Sequence, residues 1–191
     1  MKKDRMEAFS DGVFAIIITI MVLELHVPIG DQPKDLAPLI PVFISYVLSF
    51  INVGIYWVNH HHMLYAADRI NGSVLWANLN LLFWLSLMPF TTGWMGANHF
   101  SKWPVILYGG VLLMCGLGYW LLSAMLIKAC GSESQIARAL GDDWKGKFSV
   151  LIYTAAVCLA FLNPWLAFGL YVVVEIIWFI PDRRIEDKIP K

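Results

Sequence analysis

The sequence predicts an all-α integral membrane protein with six membrane-spanning helices and both termini on the cytoplasmic side. Three observations predict it. Charged residues make up 15% of the 191-residue chain against 59% hydrophobic, where soluble domains carry about 25% charged. The charges are also bunched: no Asp, Glu, Lys or Arg falls between Leu36 and Ala67, between Ile70 and Ser101, or between Trp103 and Ile127, and only Glu175 interrupts Phe148 to Pro181. Each run exceeds the roughly 20 residues a helix needs to cross about 30 Å of hydrocarbon. Finally, the basic residues collect on alternate connections.

The first helix is expected at about 6–25. Lys2, Lys3 and Arg5 ahead of an apolar stretch imitate a signal peptide, but this stretch ends in Leu23, Glu24, Leu25 and His26 without small residues for cleavage, and carries Ser10 and Asp11 early on. It is expected to stay in the mature protein. The three charge-free runs predict helices at about 36–60, 73–95 and 103–127. The last run is divided by Asn163 and Pro164, a pair that favours a turn, into a hairpin of spans at about 147–162 and 165–180. The longest polar stretch, Lys128 to Lys147, is too short for a domain. Residues 1–191 therefore read as one transmembrane unit whose work is done within or across the bilayer, with no nucleic acid as partner.

A cytoplasmic N-terminus puts Lys2, Lys3, Arg5, Arg69, Lys128, Arg138, Lys145, Lys147, Arg183, Arg184, Lys188 and Lys191 inside, leaving Lys34 and Lys102 outside out of 14 basic residues. That asymmetry follows the positive-inside rule at every loop. Trp57, Tyr65, Trp94, Trp103, Trp144 and Trp178 fall near span ends, where amphipathic rings sit at headgroup level. Cys115, Cys130 and Cys158 have no metal-type spacing and read as small hydrophobes.

The first helix is unusual for a span. Arg5, Glu7, Ser10 and Asp11 lie in its cytoplasmic half, and an ionisable group at the helix centre costs about 2.5 to 3.5 kcal/mol on insertion scales. Such a helix is expected to be surrounded by protein. At about 100° per residue, Ile16, Ile20 and Leu23 share one stripe, with Thr19 beside it and Gly12 and Phe9 continuing it inward. Ser10 and Asp11 lie roughly 120° and 140° from that stripe. Two readings stay open. If the stripe faces a pore, the polar pair anchors the helix to its neighbours; if Asp11 lines the pore, the stripe is ordinary packing.

Arg5, three residues on to Phe9-Ser10-Asp11, at the head of an apolar helix, resembles the R-x-x-x-F-S-D signature of the transmembrane protein 175 family, the endosomal and lysosomal potassium channels and their bacterial relatives. Leu23-Glu24-Leu25 before Val27-Pro28, Ser49-Phe50, Tyr56-Trp57 with His60-His61, Asn78-Leu79 and Ser86-Leu87-Met88-Pro89-Phe90 extend the resemblance through the first half; the second half is similar only in helix count. The resemblance implies a single six-helix repeat, assembled as a homotetramer in the prokaryotic cell membrane, with four first helices around one pore for potassium ions. It implies a constriction at Ile16 with further rings at Ile20 and Leu23, and a hydroxyl layer at Thr19. An apolar tube of that length, about 10 Å at 1.5 Å per residue, stops ions by dewetting. No Thr-Val-Gly-Tyr-Gly filter exists in the chain, so a conventional carbonyl cage is excluded.

Ser10 and Asp11 need donors, and Trp57, His60, His61 and Asn78 lie at matching depth on the second and third helices. They are expected to form an interhelical network with the first helix. Glu24, near the outer mouth, either concentrates cations or simply ends the helix. His60, His61 and His62 point about 100° apart on a helix and do not converge on one metal. Glu175 is expected to reach the interface near Arg183 and Arg184 on its stem. Gly109, Gly110, Gly116 and Gly118 permit close helix contact. No nucleophile stands beside a base and no phosphate-cradling loop follows a strand, so neither an enzyme nor a cofactor is expected. A proton- or cation-coupled secondary transporter using Asp11, Glu24 and the histidines is the alternative, although such proteins show internal repeats and broken helices that this sequence lacks. A non-conducting membrane scaffold is the third reading.

Overall fold

The computed structural model describes residues 3–140 and 144–179. Lys2, Arg183, Arg184, Lys188 and Lys191, assigned above to the cytoplasmic side, and position 180 at the expected end of the last span lie outside the described residues. The described residues are all-α, in the order α1 (Lys3–Leu23), a 3-10 segment (Pro33–Leu39), α2 (Ile40–Tyr65), α3 (Gly72–Ser86), α4 (Met88–Ala97), α5 (Lys102–Cys130), α6 (Gln135–Leu140), α7 (Trp144–Ala160) and α8 (Pro164–Phe179).

The expected six helices thus become eight α-helices among the described residues, for two reasons. The region expected as one helix over 73–95 is broken at Leu87. Pro89 has no N–H and its ring crowds the carbonyl one turn back, so the ladder cannot run through. The chain instead tightens, the Leu87 N–H bonding to the Trp84 carbonyl at 3.2 Å. The polar stretch after α5 also folds a short helix, α6, that packs on α5. Boundaries shift as well. The first helix ends at Leu23 rather than 25, and the second runs on to Tyr65 rather than 60. Nothing breaks the helix after His60, and burial of Met63 and Leu64 holds its last turn.

Local chemistry sets the other ends. Asn71 caps α3, its Oδ1 accepting from the Val74 N–H at 3.0 Å. Asn163 turns the chain between α7 and α8, its Oδ1 accepting from the Trp165 N–H at 2.9 Å, while Pro164 occupies the first helical position, where a missing N–H costs nothing. Between α4 and α5 the chain passes through His99 and Phe100, both at positive φ (50° and 57°). Burial of Phe100 against Trp165 and Phe168, with ring centroids 5.0 and 4.7 Å away, holds that conformation.

Among the described residues, four helical stretches are long and apolar enough to cross a membrane: Lys3–Leu23, Pro33–Tyr65, Gly72–Ala97 and Lys102–Cys130. α7 and α8 have 17 and 16 residues, or about 25 Å each. The molecule exposes large apolar side chains such as Trp76, Leu151 and Ile176, as a protein solvated by acyl chains does. α5 is the central post, packed by α3, α4, α7 and α8, while α1 lies across α2, α3 and α4. α1 is therefore held along one side by α2, α3 and α4.

Candidate functional site

α1 has two faces of opposite character. Met6, Ser10, Phe14, Ile17 and Met21 are buried, at spacings of three and four residues that make one stripe. The other face is bare. Phe9 is 54% exposed, Ile16 57%, Ile20 43% and Leu23 72%, and Gly12 and Thr19 between them are exposed too. A Cβ added at Gly12 would meet nothing within 4 Å. Among the described residues, no helix of the chain covers this stripe. The Thr19 hydroxyl donates to the Ile16 carbonyl at 2.9 Å, which uses its proton and leaves its lone pairs facing outward.

Polar contacts hold α1 on its buried face and along the edge of that face. The Trp57 indole N–H donates to Asp11 Oδ1 at 2.9 Å. The Asn78 amide donates to Ser10 Oγ at 3.0 Å, and His60 Nε2 lies 2.8 Å from Asn78 Oδ1. Donor directions are forced. The single Ser10 proton goes to the Met6 carbonyl at 2.8 Å, so Ser10 accepts from the Asn78 nitrogen; the Asn78 oxygen then faces His60, which must donate from Nε2. The Phe14 ring covers His60 with centroids 5.5 Å apart. Ser10, His60 and Asn78 are all buried.

The three histidines take separate partners. His61 Nδ1 lies 3.1 Å from Glu7 Oε1, and the half-buried His62 has its ring centroid 5.9 Å from that of His61. Arg5 is exposed and makes no hydrogen bond or ion pair among the described residues; with Phe9 it belongs to the bare face. Glu24 folds back onto α4, where a Cβ at Gly93 would stand 2.5 Å from Glu24 Oε2. A side chain at Gly93 would push that carboxylate aside.

Three features escaped the sequence reading. Lys3 Nζ ties the start of α1 to the end of α2 through the Tyr65 and Ala67 carbonyls, at 3.4 and 3.2 Å. A second polar knot joins α2, α4 and α5: Thr92 donates to Ser49 Oγ at 2.6 Å, and Ser49 Oγ lies 3.0 Å from the Tyr108 hydroxyl. The available signal was Ser45, Ser49 and Asn52, polar residues at helical spacing in an apolar run, and all three are buried. Third, Glu175 does not reach the interface on its stem. It is 4% exposed, because it shares the buried stripe of α8 with Ala167, Tyr171 and Val174.

The family described as endosomal/lysosomal potassium channel TMEM175 matches residues 5–89, the part of the chain that carries both faces of α1 and its partners on α2 and α3. The chain is 50% identical over 186 residues to a potassium channel of Chryseobacterium sp. (strain P1-3), covering 97% of each protein. It is 30% identical over 116 residues to the mouse endosomal/lysosomal proton channel TMEM175, covering 54% of this chain and 23% of that protein. The crystal structure of a lysosomal potassium-selective channel TMEM175 homolog from Chamaesiphon minutus superposes with a TM-score of 0.79 at 28% identity, over 94% of this chain and 97% of that one. With half its residues shared along nearly its whole length with a named channel, and a matching fold, this membrane protein belongs to the TMEM175 family of endosomal/lysosomal potassium channels, a family of channels and not of enzymes.

Proposed function

We propose that the chain forms a potassium-permeable channel as a homotetramer, four α1 helices enclosing one pore with Ile16, Ile20 and Leu23 as its constriction. The observation that carries this reading is the bare stripe of α1 opposite a face pinned by hydrogen bonds. An apolar stripe on a helix whose other side is fixed to its own subunit suits a symmetric axis, where identical copies cover one another. Thr19 places a ring of hydroxyl oxygens within the apolar run. Selectivity then comes from pore width, hydration and these oxygens in place of a carbonyl filter. Glu24, just beyond Leu23, lies near the outer mouth with its carboxylate laid against Gly93 of α4.

In this reading α3 and α4 cross as one broken span and the short α7 and α8 cross as a hairpin, making six spans in a single repeat. Both termini face the cytoplasm of a prokaryotic cell, and the protein resides in its cell membrane among lipid, without a cofactor. Potassium is chosen over protons because a relative matched over 97% of its length is named a potassium channel, whereas the mouse relative named a proton channel is matched over 23% of its length.

The test is flux through purified protein in liposomes. Under a potassium gradient, a conductance reversing at the potassium equilibrium potential is expected. A saturable flux that requires a counter-ion would replace the channel with a coupled transporter.

A further inference from the structure

Apart from the bare face of α1, the molecule holds a cavity of about 350 Å³ walled by α2, α5, α7 and α8, with no residue of α1 in its lining. Its walls are mainly apolar and aromatic, with Tyr56, Tyr153 and Trp178 among them. Two buried polar side chains line it as well. Glu175 is 4% exposed and Asn52 is 3% exposed, and their side chains lie beside one another. Each carries an oxygen, Glu175 Oε1 and Asn52 Oδ1, that has no hydrogen-bond partner among the described residues.

The imbalance has a sign. A carboxylate and an amide oxygen accept and do not donate, and a buried polar atom left without a partner is costly. With Glu175 ionised, these two oxygens are short of a donor, and the donors elsewhere on the lining, such as the Asn59 amide and the Tyr56 hydroxyl, do not reach them. A phosphate or carboxylate ligand would bring more acceptors and a repelling charge. A protonated amine brings only donors, and its charge is also attracted by aromatic faces. Lys147 lines the same cavity and is engaged by interactions of its own. The volume lies near the lower end of the roughly 300 to 1,000 Å³ typical of small-molecule sites, which suits one ring or a short aliphatic body.

We propose that this cavity is a binding site for a hydrophobic primary amine, its ammonium donating to the Glu175 carboxylate and Asn52 Oδ1 and its apolar body lying among Tyr56, Tyr153 and Trp178. The site is separate from the central passage and its occupancy requires no ion flux. Gly116 offers a means of closing it. A Cβ there would meet only Tyr56 Oη and Val150 Cγ2, both at 3.8 Å, so a large side chain at this position enters the cavity without displacing backbone.

Calorimetric titration of the full-length protein in nanodiscs with 2-phenylethylamine, and with 2-phenylethanol as its neutral counterpart, tests the assignment. In the unaltered protein the amine is expected to saturate at one molecule per subunit and to bind about tenfold or more tighter than the alcohol, the size of a charge-assisted hydrogen bond. Glu175→Gln should bring the amine to the alcohol's affinity, Gly116→Phe should abolish binding of both, and Ile16→Asn should leave both unchanged. Equal affinities for amine and alcohol in the unaltered protein overturn the proposal without any variant. So does amine binding that survives Gly116→Phe, or that disappears in Ile16→Asn, which would place the amine in the central passage.

Discussion

Asp11 sits on a helix that crosses hydrocarbon, and its carboxylate meets the cost of that position with the Trp57 indole N–H at 2.9 Å. Interhelical bonds of this kind are worth about 0.6 kcal/mol on average and at most about 2. Asp11→Ala and Trp57→Phe should each lower the thermal unfolding midpoint in detergent, and the double variant should lose no more than the worse single one. Strictly additive losses in that cycle would dissolve the coupling. Ile16 makes a different prediction, since its exposure frees it from any role in holding the subunit together. Ile16→Asn is expected to leave the unfolding midpoint nearly unchanged while enlarging the current and loosening selectivity in single-channel recordings. Ile17, one position on and 3% exposed, serves as the control: Ile17→Val should alter stability slightly and the current little.

At the scale of elements, one close approach between helices is made where α4 meets α2. A Cβ at Gly96 would stand 2.6 Å from the Val42 Cα and would also strike Ser45 Oγ. The obstacle is backbone, which cannot swing aside as a side-chain tip does. Gly96→Ala is therefore predicted to cost about 1 to 3 kcal/mol, the range for overpacking a filled core, read as a lowered unfolding midpoint in detergent. Gly110, on α5, has nothing within 4 Å of the same added atom, and Gly110→Ala should be neutral or slightly stabilising. The break at Leu87 serves the same contact, because it lets α4 leave the line of α3 and lie against both α1 and α2.

For the whole molecule, the decisive property is association. Four copies would each contribute the uncovered side of α1, and one copy alone encloses nothing. Native mass spectrometry of the purified protein is expected to give a mass four times that of the 21.7 kDa chain; a predominant monomer or dimer would refute the central pore. Orientation is read separately. In a variant lacking the native cysteines, a thiol introduced by Lys34→Cys should react with an impermeant reagent applied outside the cell, and one introduced by Lys128→Cys should react only after permeabilisation.

The sequence by itself determined the solvent of this protein and the positions of its apolar helices, because both follow from where charge is absent over a bilayer's width, and helix satisfies the backbone there without reference to neighbours. It also determined that Ile16, Ile20 and Leu23 lie on one stripe, and Ser10 and Asp11 on another side, since helical periodicity is local. Only the tertiary structure decided which partner each polar residue takes: Trp57 for Asp11, Asn78 for Ser10 and Glu7 for His61. It alone decided that Glu175 turns inward beside Asn52 instead of out to the interface. These outcomes rest on how helices are rotated against one another, and that rotation is set by packing between residues far apart in the chain, which no local pattern encodes.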